Sequence, residues 1–167
     1  MHKSETSKAR EVLSKFCKGY GVDIGFGGDK IIPSAIGIDL DNPYTKTGDD
    51  PVQLGGDARK LKWFRDGVLD WVYSSHLLED FENTTEILKE WARVLKRGGA
   101  LVLYLPDEQA YREYSKKRGV GTNPAHKNEF FNLAHVEVCA IQTDMLALLY
   151  KTDIVVDYSF AIVFTRK

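Results

Sequence analysis

The chain has little of what marks a secreted, membrane-spanning or nucleic-acid-binding protein. Cysteine is scarce: Cys17 and Cys139 are the only two in 167 residues. They form no CxxC pair and each has apolar neighbours, so both read as reduced core thiols, with no disulfide framework or metal site indicated. Long hydrophobic runs are absent. "ALVLYL" and "FAIVF" are strand-sized, far short of the ~20 residues a bilayer helix requires. The opening "MHKSETSKAR" has no apolar segment of the secretory type, which places the protein in the cytoplasm as an expectation. An excess of either charge is missing too. The formal net charge is -1, so electrostatics disfavours nucleic acid as the main partner.

What is present is ordinary for a globular chain, 43% hydrophobic and 28% charged, and long enough for one domain over residues 1–167 with a sizeable core. Ala9, Val12, Leu13, Phe16 and Cys17 recur at helical spacing, predicting an amphipathic helix over 7–18 that Gly19 ends. Strand-like runs follow at 21–24, 35–39, weakly at 52–54, and at 68–73 ("VLDWVY"). Asn83 with Glu86 resembles a capping box, and Ile87, Leu88, Trp91, Val94 and Leu95 form the apolar stripe of the helix it opens. "RGG" at 97–99 stops that helix before the apolar strand "ALVLYL". Buried strands joined through helices argue for a parallel sheet covered on both faces.

From 106 to 132 the periodicity breaks, with a short helix predicted at 108–117. A long irregular stretch in a compact domain is more often functional than accidental. Residues 133–150 read as mostly helical, with "HVEVCAI" a competing strand, and "DIVVDY" and "FAIVFTR" close the chain as adjacent antiparallel strands.

The chemistry is concentrated in "GYGVDIGFGGDKIIPSAIGIDL", residues 19–40: strand, glycine turn, strand, and a terminal acid at Asp39. A dinucleotide fingerprint needs glycine at the first, third and sixth turn positions. Gly25 and Gly27 supply two, but Lys30 stands at the sixth. Asp29 falls where a helix N-terminus should meet a diphosphate, and its charge would repel one. Residues 26–34 leave room for about one turn, short of the ~10–12 residues of a normal crossover. S-adenosylmethionine has no phosphates and escapes these objections. It asks for bare backbone and for carboxylates that accept from its amine and ribose hydroxyls.

"VDIGFGG" resembles motif I of the class I S-adenosylmethionine-dependent methyltransferases, in the type 11 group. "IGIDL" resembles that family's acidic second-strand end, and "LGGDARKL" its next aspartate motif. "LDWVYSSHLLEDF…ILKEWARVLKRGGALVLYLPD" is similar to its fourth and fifth strands. The ordered set covers roughly residues 8–107. The resemblance implies an α/β, Rossmann-like, doubly wound, mostly parallel seven-stranded sheet with an antiparallel C-terminal pair. It implies methyl transfer from S-adenosylmethionine, with S-adenosylhomocysteine as product. By position, Asp23, Gly25, Phe26 and Gly27 would line the methionine and ribose, Asp39 would accept the ribose hydroxyls, and Leu40 would lie against adenine. Asp57 and Ala58 would hold the adenine edge, and Ser74 and Ser75 would border the methyl group. Asp29 stands where the motif has its third glycine, a departure from the pattern.

Each residue alone has a plainer reading. The glycines make a tight turn, Asp39 is an ordinary strand-end acid, and Asp57 caps a helix starting near Ala58. Their weight comes from the series. His76 and Asp107 are the candidate general bases, although His76 also reads as a turn residue bonded to backbone. His76, Tyr104, Tyr111 and His126, with Asp107 and Tyr114 nearby, lie on the rim where an acceptor would enter. That acceptor is open among a small metabolite, a sugar or lipid-linked group, and a protein side chain. Two other classes stay open: a non-catalytic binding or regulatory protein of the same fold, and a nucleotide-dependent oxidoreductase.

Overall fold

The computed structural model describes residues 4–41, 46 and 48–167. Its framework is a seven-stranded sheet in the order β3-β2-β1-β4-β5-β7-β6. The strands are β1 (Gly21–Ile24), β2 (Ile36–Asp39), β3 (Leu54–Gly55), β4 (Leu69–Ser75), β5 (Leu95–Pro106), β6 (Leu146–Val156) and β7 (Ser159–Arg166). The first five pair in parallel, whereas β7 runs antiparallel to both β5 and β6. This is the doubly wound, mostly parallel architecture expected from the sequence, with its antiparallel C-terminal pair. Chain order reverses at β1 and β4, which places a ligand crevice at the carboxyl ends of those strands.

Among the described residues four α-helices complete the fold: α1 (Glu5–Leu13), α2 (Thr84–Val94), α3 (Glu108–Arg118) and α4 (Leu133–Gln142). Ile87, Leu88, Trp91 and Val94 of α2 are buried with Val136 and Ala140 of α4 against Val22, Ile24, Val72, Leu101 and Leu103 of the sheet. The opposite face is covered by α1, whose Ala9 and Leu13 pack with Ile31, Trp71, Tyr73, Val102 and Tyr104. Removing a large side chain from either layer would lose its transfer energy and leave a cavity, at a cost of about 3–5 kcal/mol for an aromatic.

Several sequence expectations shift. Residues 133–150 do not form one helix. α4 stops at Gln142, Asp144 takes a left-handed turn at φ 56°, and Leu146 onward extends along β7 as β6. Pairing with β7 outweighs the local helical propensity there. "HVEVCAI" is helical. No helix begins near Ala58; residues 58–64 form turns instead, with Lys60 N–H donating to Asp57 O and Phe64 N–H to Leu61 O. Asn83 occupies the N-cap of α2 but makes no side-chain cap bond, and Glu86 pairs with Lys89 rather than closing a capping box. The first helix runs from Glu5 to Leu13 and tightens into a single 3-10 turn, Ser14–Phe16. The crossover from β1 to β2 is helix-free, in line with its shortness. Among the described residues no helix is long and apolar enough to cross a membrane.

Candidate active site

The end of β1 turns sharply at Gly25, whose φ of 68° lies in the left-handed region. A Cβ there would come within 2.7 Å of the Leu77 side chain, so strain and crowding both select glycine. The turn is stitched to β2. Gly25 N–H donates to Ile38 O at 2.8 Å, and Gly27 N–H to Asp39 Oδ2 at 3.0 Å. Asp39 Oδ1 accepts from Leu40 N–H at 2.8 Å. The Asp39 carboxylate thus stands at the end of β2 beside bare glycine backbone, half-buried, with lone pairs left over after these two bonds. Phe26 is buried with its ring on Gly37, where a Cβ would approach it to 2.8 Å.

Asp29 does not face this space. It accepts from Arg10 Nη2 at 2.6 Å and from the Ser4 hydroxyl, both on or next to α1. Arg10 also donates to the carbonyls of Lys30, at 2.9 Å, and Ile31, at 3.3 Å. In place of the motif's third glycine, therefore, the chain has a clamp that ties the helix-free crossover to α1.

Asp23 lies beneath the turn on the α1 face. It is fully buried and accepts from Ile31 N–H at 2.7 Å. Burial holds its carboxyl well above the usual range, the Ile31 hydrogen bond opposing. Ser74 is likewise fully buried, donating to Ile24 O at 3.0 Å. Both brace the turn from below. Asp57, at the far end of the crevice, is chelated by Arg59 at 2.9 Å or closer and is 43% exposed. The same pairing holds its carboxyl below the usual range. The Ala58 carbonyl accepts from Trp91 Nε1 at 2.8 Å, and Leu40 is exposed.

Where β4 ends, a cavity of about 240 Å³ opens between the glycine turn, the start of α1 and α3. Gly25, Phe26, Gly27 and Ser75 line one side; His76, Glu79, Tyr111, His126 and Tyr158 line the other. His76 follows β4 in a left-handed conformation, φ 50°, which histidine adopts more readily than most residues. Its N–H donates to Tyr104 O at 2.9 Å, satisfying the backbone as a turn residue should, while its Nε2 meets Ser159 Oγ at 2.9 Å. Burial lowers its pKa to about 3, helped by the charges of His126 and Lys8, so the ring is neutral at neutral pH. Tyr111 and His126, both expected on the rim, face the cavity with ring centroids 4.9 Å apart. Tyr104 is instead buried behind His76, its phenol pushed up to about 12 by burial. Tyr114 stacks on Tyr158, and Asp107 caps α3, accepting from Ala110 N–H at 3.0 Å, away from the cavity lining.

The sequence reasoning missed Glu79 and Tyr158. Glu79 stands in the quoted "HLLEDF", three residues after His76, yet nothing local marks it as buried. It is 1% exposed. Tyr158 is brought in by the turn between β6 and β7, where Asp157 takes φ 56°. Only the fold places it near residues 76 and 111.

The model of the methyltransferase domain family matches residues 20–103, half of the chain, from β1 into β5. The chain belongs to that family, a class of S-adenosylmethionine-dependent enzymes. The fold is shared with solved structures of low sequence identity. One is the PH0226 protein of Pyrococcus horikoshii, 20% identical, with a TM-score of 0.72 over 96% of this chain and 88% of that one. Another is an S-adenosylmethionine-dependent methyltransferase of Mesorhizobium loti, 14% identical, TM-score 0.68, covering 98% of each chain. A third, from Aquifex aeolicus, is 15% identical with a TM-score of 0.68, over 96% and 93%. No curated protein matches the sequence.

Proposed function

We propose that the protein moves a methyl group from S-adenosylmethionine to an acceptor seated in the cavity beyond β4. The observation that carries this reading is the placement of the Asp39 carboxylate against the Gly25–Gly27 turn, whose residues line that cavity. Acceptor oxygens beside a backbone without side chains suit a ribose and an amino acid, and Asp29 is turned away and neutralised by Arg10, so the motif's departure does not obstruct the site. Asp39 would accept the ribose hydroxyls, Leu40 would lie under the adenine, and Asp57 and Ala58 would flank its edge. Gly25, Phe26, Gly27 and Ser75 would surround the methionine end, with Asp23 and Ser74 supporting them from beneath. The cofactor supplies a methyl carbon already activated by its sulfonium. What the protein adds is alignment and exclusion of water, which in favourable cases lowers a barrier by ~7–11 kcal/mol. The acceptor half lies largely on segments beyond residue 103, past the family match, so acceptor choice belongs to this chain's own α3 and β6–β7 turn.

Calorimetric titration with S-adenosylmethionine and S-adenosylhomocysteine tests the reading. Both should bind at one site per chain. Heat with NAD(H) and none with either sulfur compound would favour an oxidoreductase, and silence from all of them a non-catalytic binding protein.

A further inference from the structure

The acceptor side of the cavity brings together two carboxyl groups, two histidines and two tyrosine rings. Neither oxygen of Glu79 receives a hydrogen bond from another described residue, although the side chain is 1% exposed. His76 Nδ1 and His126 Nε2 each stand 3.8 Å from Glu79 Oε1, beyond hydrogen-bond reach. His126 is oriented from behind. Its Nδ1 donates to Glu108 Oε2 at 2.6 Å, and Glu108 in turn accepts from Arg112 Nε at 2.8 Å. That orients the ring so that its Nε2 faces Glu79. Glu5 Oε2, 3.5 Å from His76 Nε2, also receives no hydrogen bond from another described residue, while its Oε1 is held by Lys8. Among the described residues Lys8 is a cation nearby, and Glu5 at 2.8 Å and Asp157 at 3.2 Å neutralise it. Tyr111 and Tyr158 wall the space with ring centroids 5.0 Å apart.

Burial holds the Glu79 carboxyl well above the usual carboxylate range, and the cost of ionising it falls when a ligand supplies N–H donors or positive charge. Aromatic faces attract the same kind of group. A carboxylate or phosphate ligand would meet the carboxyl oxygens of Glu79 and Glu5. We propose that the methyl acceptor is a small amine, its nitrogen held by Glu79 with Glu5 nearby, and its body against the rings of Tyr111 and Tyr158. This rests on the function proposed above and names the acceptor class of that site.

The test is calorimetry on the protein saturated with S-adenosylhomocysteine, using phenethylamine as the amine probe and phenylacetate as its acidic counterpart. Phenethylamine should bind and phenylacetate should not. Glu79→Gln keeps the shape and removes the charge; it should weaken phenethylamine about tenfold or more, and leave S-adenosylhomocysteine within about twofold. Glu5→Gln, at the solvent side, should weaken the amine by a smaller factor and serves if Glu79→Gln does not fold. The amine proposal is overturned if phenylacetate binds as well as phenethylamine, or if both variants bind the amine like the wild type. It is also overturned if Glu79→Gln weakens S-adenosylhomocysteine instead, because the carboxylate would then serve the cofactor's own amino group. Failure of the unmodified protein to bind S-adenosylhomocysteine would overturn the methyltransferase reading itself, and the amine proposal with it.

Discussion

The face of the sheet under α2 and α4 and the face under α1 reach closure by different means. Under α2 and α4 the packing is mainly apolar, with Trp91, Leu88, Val94, Leu101, Phe131 and Phe160 all but fully buried. Under α1 a smaller apolar cluster is supplemented by polar ties: Asp23 to Ile31 N–H, and Arg10 to Asp29 and to two crossover carbonyls. The second arrangement lies directly beneath the glycine turn. Apolar packing supplies stability without specifying a ligand site, whereas directional bonds fix the position of one loop. The division teaches that this molecule stores its stability on one side and its site geometry on the other, so the two should be separable by mutation.

The largest effect falls on the apolar side. Leu88→Ala, in the same cluster, should cost about 2–5 kcal/mol of unfolding free energy in urea titration, while the protein still folded binds S-adenosylhomocysteine within about twofold of wild type. A comparable loss of affinity would break the separation. Next is Asp39→Ala, which should reduce S-adenosylhomocysteine affinity by about 1.5–3 kcal/mol, the worth of hydrogen bonds to a charged group, with little change in the urea midpoint.

Acid titration sharpens the contrast at His76, which faces Glu5, Lys8, Glu79, His126, Tyr104 and Tyr158. Its pKa falls from 6.5 to about 3 on folding. Between those values the unfolded chain holds a proton that the folded chain refuses. Stability is therefore intact above pH 6.5 and is lost as pH falls toward 3, by up to about 1.4 kcal/mol per pH unit. His76→Gln should flatten that slope in pH-dependent thermal melts, and an unchanged slope would show that the ring is protonated in the folded state. The smallest effect is expected at Arg10. Arg10→Ala breaks a partly exposed ion pair worth about 0.5–1 kcal/mol of stability, but should lower S-adenosylhomocysteine affinity several-fold, because the crossover loses its tie to α1.

The same division explains what the sequence made readable. Strands β1, β2, β4 and β5 and helix α2 were legible because apolar periodicity records burial directly, as in "VLDWVY" and the Ile87–Trp91–Val94 stripe. The helix-free crossover was legible because counting residues bounds what fits. β6 was legible only in its second half, within "DIVVDY"; Leu146–Tyr150 has helical propensity and becomes a strand only by pairing with β7. Within the site, Asp39 and the glycines were found through their order along the chain. The acceptor side was half visible. Tyr111 and His126 could be named because they follow β5, but Glu79 and Tyr158 come from distant segments with no shared spacing. Asp23 shows the opposite limit: the motif names it, and the structure sets it under the turn as a buried brace.

The most direct measurement is a crystal structure of the protein with S-adenosylhomocysteine. The account predicts ribose hydroxyls within 2.5–3.0 Å of the Asp39 carboxylate, adenine against Leu40, and the thioether between Gly25 and Ser75, pointing toward Glu79. A nucleoside bound elsewhere, or one whose ribose makes no contact with Asp39, would contradict it.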